Sequence, residues 1–368
     1  MQNRLREVDF IRAFAALSVV AIHVTGSYIY SSSGAFLWNL TMRYAVPLFI
    51  ILSGFVLFQS EKNKKSFSCV TFWSKRLKKI LIPYVLWNMI YMIYFSRHDM
   101  VKITGNISGF LKDLGINSLT GKGTYHLYFM LIVLQLYLFY PLIRLAARKY
   151  MKTTLLVSFG ITLYCQTIIY LGVQNKVAIP QTYIPFFMLL PVWVFFFVFG
   201  MYFSSNIESL KEKFVGKYII TGALWAISLM ILIIDTKLTK TQEISMKPSV
   251  IVYSILSFVF FYCVAYKFAN TRNPIGRLLD FLSEQSFLIY FSHVLFLDMV
   301  VSFSYIAGFG EYWESSRHQV SLYIATVAVS SLFAYIMSYT PVSLLIGGVH
   351  KRHLSNFFNK KTDQNVQI

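Results

Sequence analysis

The sequence predicts an all-α integral membrane protein: about ten transmembrane helices in one bundle, with both termini cytoplasmic. Three observations carry this expectation. Of the 368 residues, 56% are hydrophobic and only 13% charged, too little polar surface to cover a soluble globule. The apolar residues come in runs of about 18 to 22, the length an α-helix needs to cross a bilayer. Lys and Arg gather in short clusters between these runs, on alternate sides.

The runs fall near 10–30, 41–59, 80–96, 125–143, 154–172, 184–204, 217–235, 249–268, 284–304 and 319–346. With the N-terminus inside, Arg4, Arg6 and the segments Lys62–Lys79, Arg144–Lys152, Lys211–Lys217, Lys267–Arg277 and Lys351–Lys361 share the cytoplasmic side. That side then holds 23 Lys and Arg against 9 in the opposite loops, with Arg12 and Arg43 set aside as intramembrane. The asymmetry orients the chain. Residues 1–350 are expected to form the membrane domain and 351–368 a basic cytoplasmic tail. The longest stretch outside the runs, 97–124, carries five glycines and is expected as an external loop capping the bundle.

The net charge of +19 comes without a basic domain or a nucleic-acid motif, so no nucleic-acid partner is expected. Arg12 interrupts the first run, which argues against a cleaved signal. The three cysteines, Cys69, Cys165 and Cys263, show neither metal spacing nor a disulfide framework. No metal and no permanently bound cofactor are expected.

Arg12 and His23 are the residues most in need of explanation. Eleven residues bring a helix only about 20° past three full turns, so both side chains share one face, about 16 Å apart along the axis. Ionisable groups at such depth are costly and mark function by default. The pair is expected to face one common cavity open to the cytosol. Asp9, one turn before Arg12, can hold the guanidinium. Snorkelling or hydrogen bonding between helices is the structural alternative.

Here the sequence resembles the bacterial membrane acyltransferase type 3 family, whose hallmark is an Arg and a His with ten residues between them in the first helix. Arg12, His23 and the preceding Asp9 match it. Further matches are Val46–Phe55 ending in Ser-Gly-Phe, the basic stretch Phe72–Tyr84, Tyr125–Phe129 followed by Gln135 and Tyr137, and Ser286–His293. The resemblance spans nearly the whole chain. It departs at Lys79, where the family commonly has a second Arg after Arg76, and at Val133 and Leu134, where larger members carry acids. It is closer to the stand-alone members associated with intercellular adhesin and enterobacterial common antigen.

The resemblance implies O-acyl transfer from cytosolic acyl-CoA, acetyl first and succinyl second, to a hydroxyl of a cell-surface or lipid-linked carbohydrate. Arg76 and Lys79, with Lys75 and Lys78, stand where the CoA phosphates would arrive. Arg12 would position the donor. His23 would act as general base or acyl carrier, and His293 would orient the acceptor or share proton transfer. His126, Tyr125 and Arg43 would line an acceptor path, with Tyr128 and Trp38 as stacking faces, although interfacial anchoring explains Arg43, Trp38 and the tyrosines better and His126 equally well. Ser53–Gly54 reads as a close-packing site. The implied setting is the cell membrane, among lipid and other polysaccharide-synthesis proteins. A glycan exporter would also use ten helices and buried polar groups, and a non-catalytic scaffold would leave Arg12 and His23 unexplained.

Overall fold

Inside a bilayer no water is available to bond a peptide group, so a chain this apolar must satisfy its backbone internally, and helices do so locally. The computed structural model describes residues 5–61, 67–96, 106–214, 216–242, 244–268 and 274–350. Residues 1–4, the tail 351–368 and the start of the predicted cap, 97–105, lie outside the described residues. Every regular element among the described residues is helical.

The first helix, α1 (Arg6–Gly26), is followed by α2 (Ser33–Thr41), which runs through one 3-10 turn into α3 (Ala45–Glu61). Next come α4 (Cys69–Phe95), α5 (Ile107–Thr120) and the 46-residue α6 (Tyr128–Val173). The second half holds α7 (Val194–Ser205), α8 (Ile207–Phe214), α9 (Tyr218–Thr239), α10 (Pro248–Phe268), α11 (Pro274–Ile306) and α12 (Gln319–Met337). Among the described residues seven helical stretches are long and apolar enough to cross a membrane. The four cations Lys75, Arg76, Lys78 and Lys79 lie within α4.

Two predicted spans belong to the single helix α6, broken at Tyr150, whose φ of −140° and ψ of 61° are not helical. Gln135 and Gln166 flank that break. On a straight helix they would lie about 46 Å apart. Yet Gln135 bonds the Met188 carbonyl at 2.9 Å and Gln166 the Val192 carbonyl at 3.1 Å, so the chain must turn back at Tyr150.

The predicted run 184–204 holds only a 12-residue helix, α7. Pro185 and Pro191 replace its first part by short 3-10 turns, because proline offers no N–H and disfavours helix in the residue before it. Side chains supply the lost bonds. Thr162 donates to the Pro191 carbonyl at 2.9 Å and accepts from Phe195 N–H at 3.1 Å, completing a helical bond by insertion. Gln135 does the same for Met188 and Leu190.

The expected glycine-rich cap is a helix, α5, over its described part, with Asn106 capping its start through the Gly109 N–H at 2.8 Å. The predicted run 319–346 also ends early. After α12 the chain turns at Pro341–Leu344, and Trp87 and Gln285 bond Ile346 and Val349, folding 345–349 back against α4 and α11.

The core is densest where α3 crosses α7. A Cβ on Gly54 would stand 2.0 Å from the Phe197 carbonyl oxygen, and one on Gly200 would stand 1.9 Å from that of Ile51. Two bare backbones touch there, as expected for Ser53–Gly54. Gly54→Ala is therefore expected to destabilise the protein by about 1–3 kcal/mol or more, whereas Gly26→Ala, which meets nothing within 4 Å, leaves the detergent melting midpoint unchanged. Equal midpoints for the two variants would contradict the crossing.

Candidate active site

Helix α1 lies along α11 and is fixed to it by charge. The Asp9 carboxylate accepts from Arg12 at 3.1 Å and from Ser283 at 3.1 Å through the same oxygen, and Arg6 pairs with Asp280 at 3.3 Å. Farther along, the two helices present His23 and His293 with ring centroids 5.1 Å apart. His126, in the turn before α6, completes a cluster at 6.0 Å from His23 and 5.1 Å from His293. Tyr125 lies 5.0 Å from His23.

The His293 Nδ1 lies 2.7 Å from the Tyr290 carbonyl and 3.2 Å from that of Ile289. A ring nitrogen facing carbonyls must carry the proton, so Nε2 keeps its lone pair. That Nε2 and both nitrogens of His126 are buried without a hydrogen-bond partner among the described residues. Among those residues no group of His, Cys, Asp or Glu is arranged to hold a metal ion. The imidazoles are placed to accept and donate protons.

Tyr91 of α4 is inserted beside them. It donates to the Phe291 carbonyl at 2.7 Å and accepts from the Leu295 N–H at 3.1 Å, filling one rung of the α11 ladder around His293. Tyr290 donates to the His126 carbonyl.

Arg12 and His23 share a helix but not a cavity, contrary to expectation. Arg12 lines an inner cavity of about 700 Å³ with Lys78, Lys79, Tyr137 and Tyr290. Lys78 and Lys79 also border an adjoining cavity of about 790 Å³ that holds Lys75 and Arg76. His23 and Tyr125 line a separate outer cavity of about 310 Å³, which shares no residue with the inner one. Between them stand Tyr290, His126 and His293, all at most 4% exposed. One helix can carry two sites because 16 Å of axis leaves room for a packed layer between them.

Arg43 is a second correction. It lines neither cavity; its Nε donates to Asn39 at 2.9 Å, and its terminal nitrogens to Ser245 at 2.6 Å and the Gln242 carbonyl at 2.9 Å. It ties α2 to the loop between α9 and α10. In that loop fully buried Lys247 pairs with Asp235 at 3.3 Å, and burial draws its ammonium below the usual value against the pull of that carboxylate. Trp38 packs on Tyr323 and Tyr128 on Phe187, so neither stacks in the outer cavity. Gln135, part of a recognised motif, serves the backbone of 188–190.

Sequence reasoning missed Asp298, Glu314 and Trp313, which line the outer cavity, and left Tyr290 without a role. Asp298 was detectable, since it is an acid inside the apolar run 284–304. Glu314 and Trp313 lie between helices, where no periodicity announces them.

Two buried imidazoles, His126 and His293, lie between a basic inner cavity and an aromatic, acidic outer one, with half-buried His23 at the wall of the outer cavity. The acyltransferase domain family matches residues 5–335, and the chain belongs to that family; it is a multi-pass membrane acyltransferase. It is 23% identical over 316 residues to a probable poly-beta-1,6-N-acetyl-D-glucosamine export protein of Staphylococcus aureus strain MSSA476, covering 82% of this chain and 84% of that one. Over 81 residues it is 38% identical to the acyltransferase MdmB of Streptomyces mycarofaciens, 21% of this chain and 20% of that one. No solved structure is significantly similar.

Losing the Arg43 hydrogen bonds to Asn39, Ser245 and Gln242 removes charge-assisted contacts worth about 1.5–3 kcal/mol each. Arg43→Met is expected to lower the detergent melting midpoint markedly while the folded fraction keeps its affinity for acyl-CoA. An unchanged midpoint would return Arg43 to the acceptor path.

Proposed function

We propose that this protein transfers an acetyl group, or secondarily a succinyl group, from cytosolic acyl-CoA to a hydroxyl of a cell-surface or lipid-linked carbohydrate. The observation that carries the reading is the pair of cavities meeting back to back at one histidine layer. The Lys and Arg bias favours an arrangement with both termini cytoplasmic. Ten helical segments would cross the membrane, counting the two halves of α6 separately and adding α4 and the short α7 to the seven stretches.

In this reading Lys75, Arg76, Lys78 and Lys79 receive the polyanionic CoA phosphates. The pantetheine arm follows the inner cavity past Arg12, which steers the donor, and its thioester reaches the layer at Tyr290. For the reaction the side chains of that layer must part, so that an acceptor hydroxyl in the outer cavity gives its proton to His23 as its oxygen attacks the thioester carbonyl. The C–S bond breaks as the new C–O bond forms, and the departing thiolate is reprotonated from the imidazole layer. His293, with Nε2 unpartnered, would orient the acceptor or share the proton. His126 backs both rings, Tyr125 faces the acceptor, and no resident cofactor is required.

A second reading, export of a glycan, is favoured by the printed name of the staphylococcal relative. The lack of any shared lining residue between inner and outer cavities counts against a continuous path for a polymer. Purified protein in nanodiscs given radiolabelled acetyl-CoA should consume thioester in the presence of acceptor glycan. His23→Ala is expected to lower transfer by about 10²- to 10⁴-fold while membrane abundance stays near the parent's. Glycan movement without thioester loss would replace the proposal with export. Arg76→Ala combined with Lys79→Ala should weaken acyl-CoA binding and flatten its salt dependence, because exposed charges are screened; unchanged affinity would remove both from the donor site.

A further inference from the structure

The chain re-enters the bundle after α12. Beyond the 3-10 turn Pro341–Leu344, residues 345–349 form no regular element, and side chains from two helices hold them as a strap. Gln285 brackets Val349, donating to its carbonyl at 3.0 Å and accepting from its N–H at 3.2 Å. Trp87 donates to the Ile346 carbonyl at 3.0 Å and stacks on Phe291, two residues before His293. The strap therefore lies beside α11 between Gln285 and Phe291, about 9 Å of helix, and leads toward the histidine layer.

Irregular backbone at membrane depth is tolerated only where protein covers it or a cavity opens on it. Both conditions hold here. A Cβ on Gly347 would stand 2.9 Å from Phe287 and one on Gly348 2.9 Å from Leu288, so the strap is pressed against α11, and the Gly347 φ of 92° itself favours glycine. The same two glycines line the inner cavity. Having no side chains, they can show it only peptide backbone.

The Gly347 N–H and the carbonyls of Gly347 and Gly348 make no hydrogen bond among the described residues. Little else in the lining suits an amide. Leu52, Val56, Ile80, Ile82, Met130 and Val133 are apolar, and the hydroxyls of Ser286 and Tyr290 already donate to the Ser283 and His126 carbonyls. The cavity thus sets a short, unpaired backbone edge into an apolar wall.

That combination fits one part of the donor. Between its phosphates and its thioester, acyl-CoA carries a flexible arm with two secondary amides, and each needs a donor and an acceptor once it leaves water. We propose that Gly347 and Gly348 form the pantetheine subsite, pairing main chain to amide as an extended peptide pairs with a sheet edge, and that Gln285 and Trp87 are positioning residues that fix the strap. This rests on the reading of the inner cavity as the donor side. Lys78 and Lys79 then hold the phosphate end, and the amide pairing sets how far the thioester advances toward Tyr290.

The test uses the full-length protein in nanodiscs and calorimetric titration with three ligands: acetyl-CoA, its analogue with ester oxygen in place of each amide N–H, and adenosine 3′,5′-bisphosphate. The parent is expected to bind the ester analogue about tenfold more weakly than acetyl-CoA. Gln285→Met keeps the side-chain volume but releases Val349. In that variant acetyl-CoA should weaken about tenfold and the discrimination against the ester should shrink to about threefold or less, while bisphosphate affinity stays at the parent's value. Trp87→Phe, which keeps a ring on Phe291 and loses the bond to Ile346, carries the same comparison if the first variant fails to fold. A parent indifferent to the exchange of amide for ester overturns the subsite. So does a variant whose bisphosphate binding falls as far as its acetyl-CoA binding, the mark of a general collapse. A parent that binds no acetyl-CoA at all removes the donor reading and the subsite with it, whereas acetyl-CoA binding without amide discrimination removes the subsite alone.

Discussion

A single carboxylate oxygen sets the geometry on which the site depends. Asp9 gathers the Arg12 guanidinium and the Ser283 hydroxyl at one point, joining α1 to α11 near their starts. Asp9 is buried while Arg12 is half-buried at the cavity wall, so losing the shared carboxylate forfeits charge-assisted hydrogen bonds worth about 1.5–3 kcal/mol at most. From that anchor the helices run side by side to His23 and His293. The imidazoles meet because the helix bases cannot slide.

Side-chain hydroxyls and amides repair the backbone wherever it breaks at depth. Thr162 and Tyr91 each bridge a carbonyl and the N–H four residues later, one where α7 begins after Pro191 and one around His293. Gln135 and Gln166 hold the irregular turns between. The nitrogens of His126 and His293 are among the buried side-chain polar atoms that have no hydrogen-bond partner among the described residues.

Much of this was legible in the sequence, for identifiable reasons. Apolar run length located every long helix, and helical angle placed Arg12 and His23 on one face, because both depend on local periodicity alone. Motif order brought His293 and Tyr125 into the discussion. The reversal at Tyr150 was hidden, since it lies in a polar stretch that reads equally well as a loop. Pro185 and Pro191 announced a broken helix, but the apolar residues around them outweighed the signal. Arg43 was misplaced because an intramembrane cation looks the same in sequence whether it faces a substrate or the loop 240–247. Depth along one helix gave no warning that a layer of side chains from α11 and the turn before α6 would divide the space between Arg12 and His23.

That dividing layer has a bearing on the cell as well as on the reaction. An energised membrane stores its power as a voltage, worth about 2.3 kcal/mol per unit charge for each 100 mV. A water-filled bore lined by lysines on one side and acids on the other would leak ions and spend that store. Two wells that share no lining residue, with Tyr290, His126 and His293 between them, leave no such bore, and only a local parting of that layer is needed for groups on either side to meet. The insulation of the membrane is thus maintained by the same side chains that stand where the wells meet.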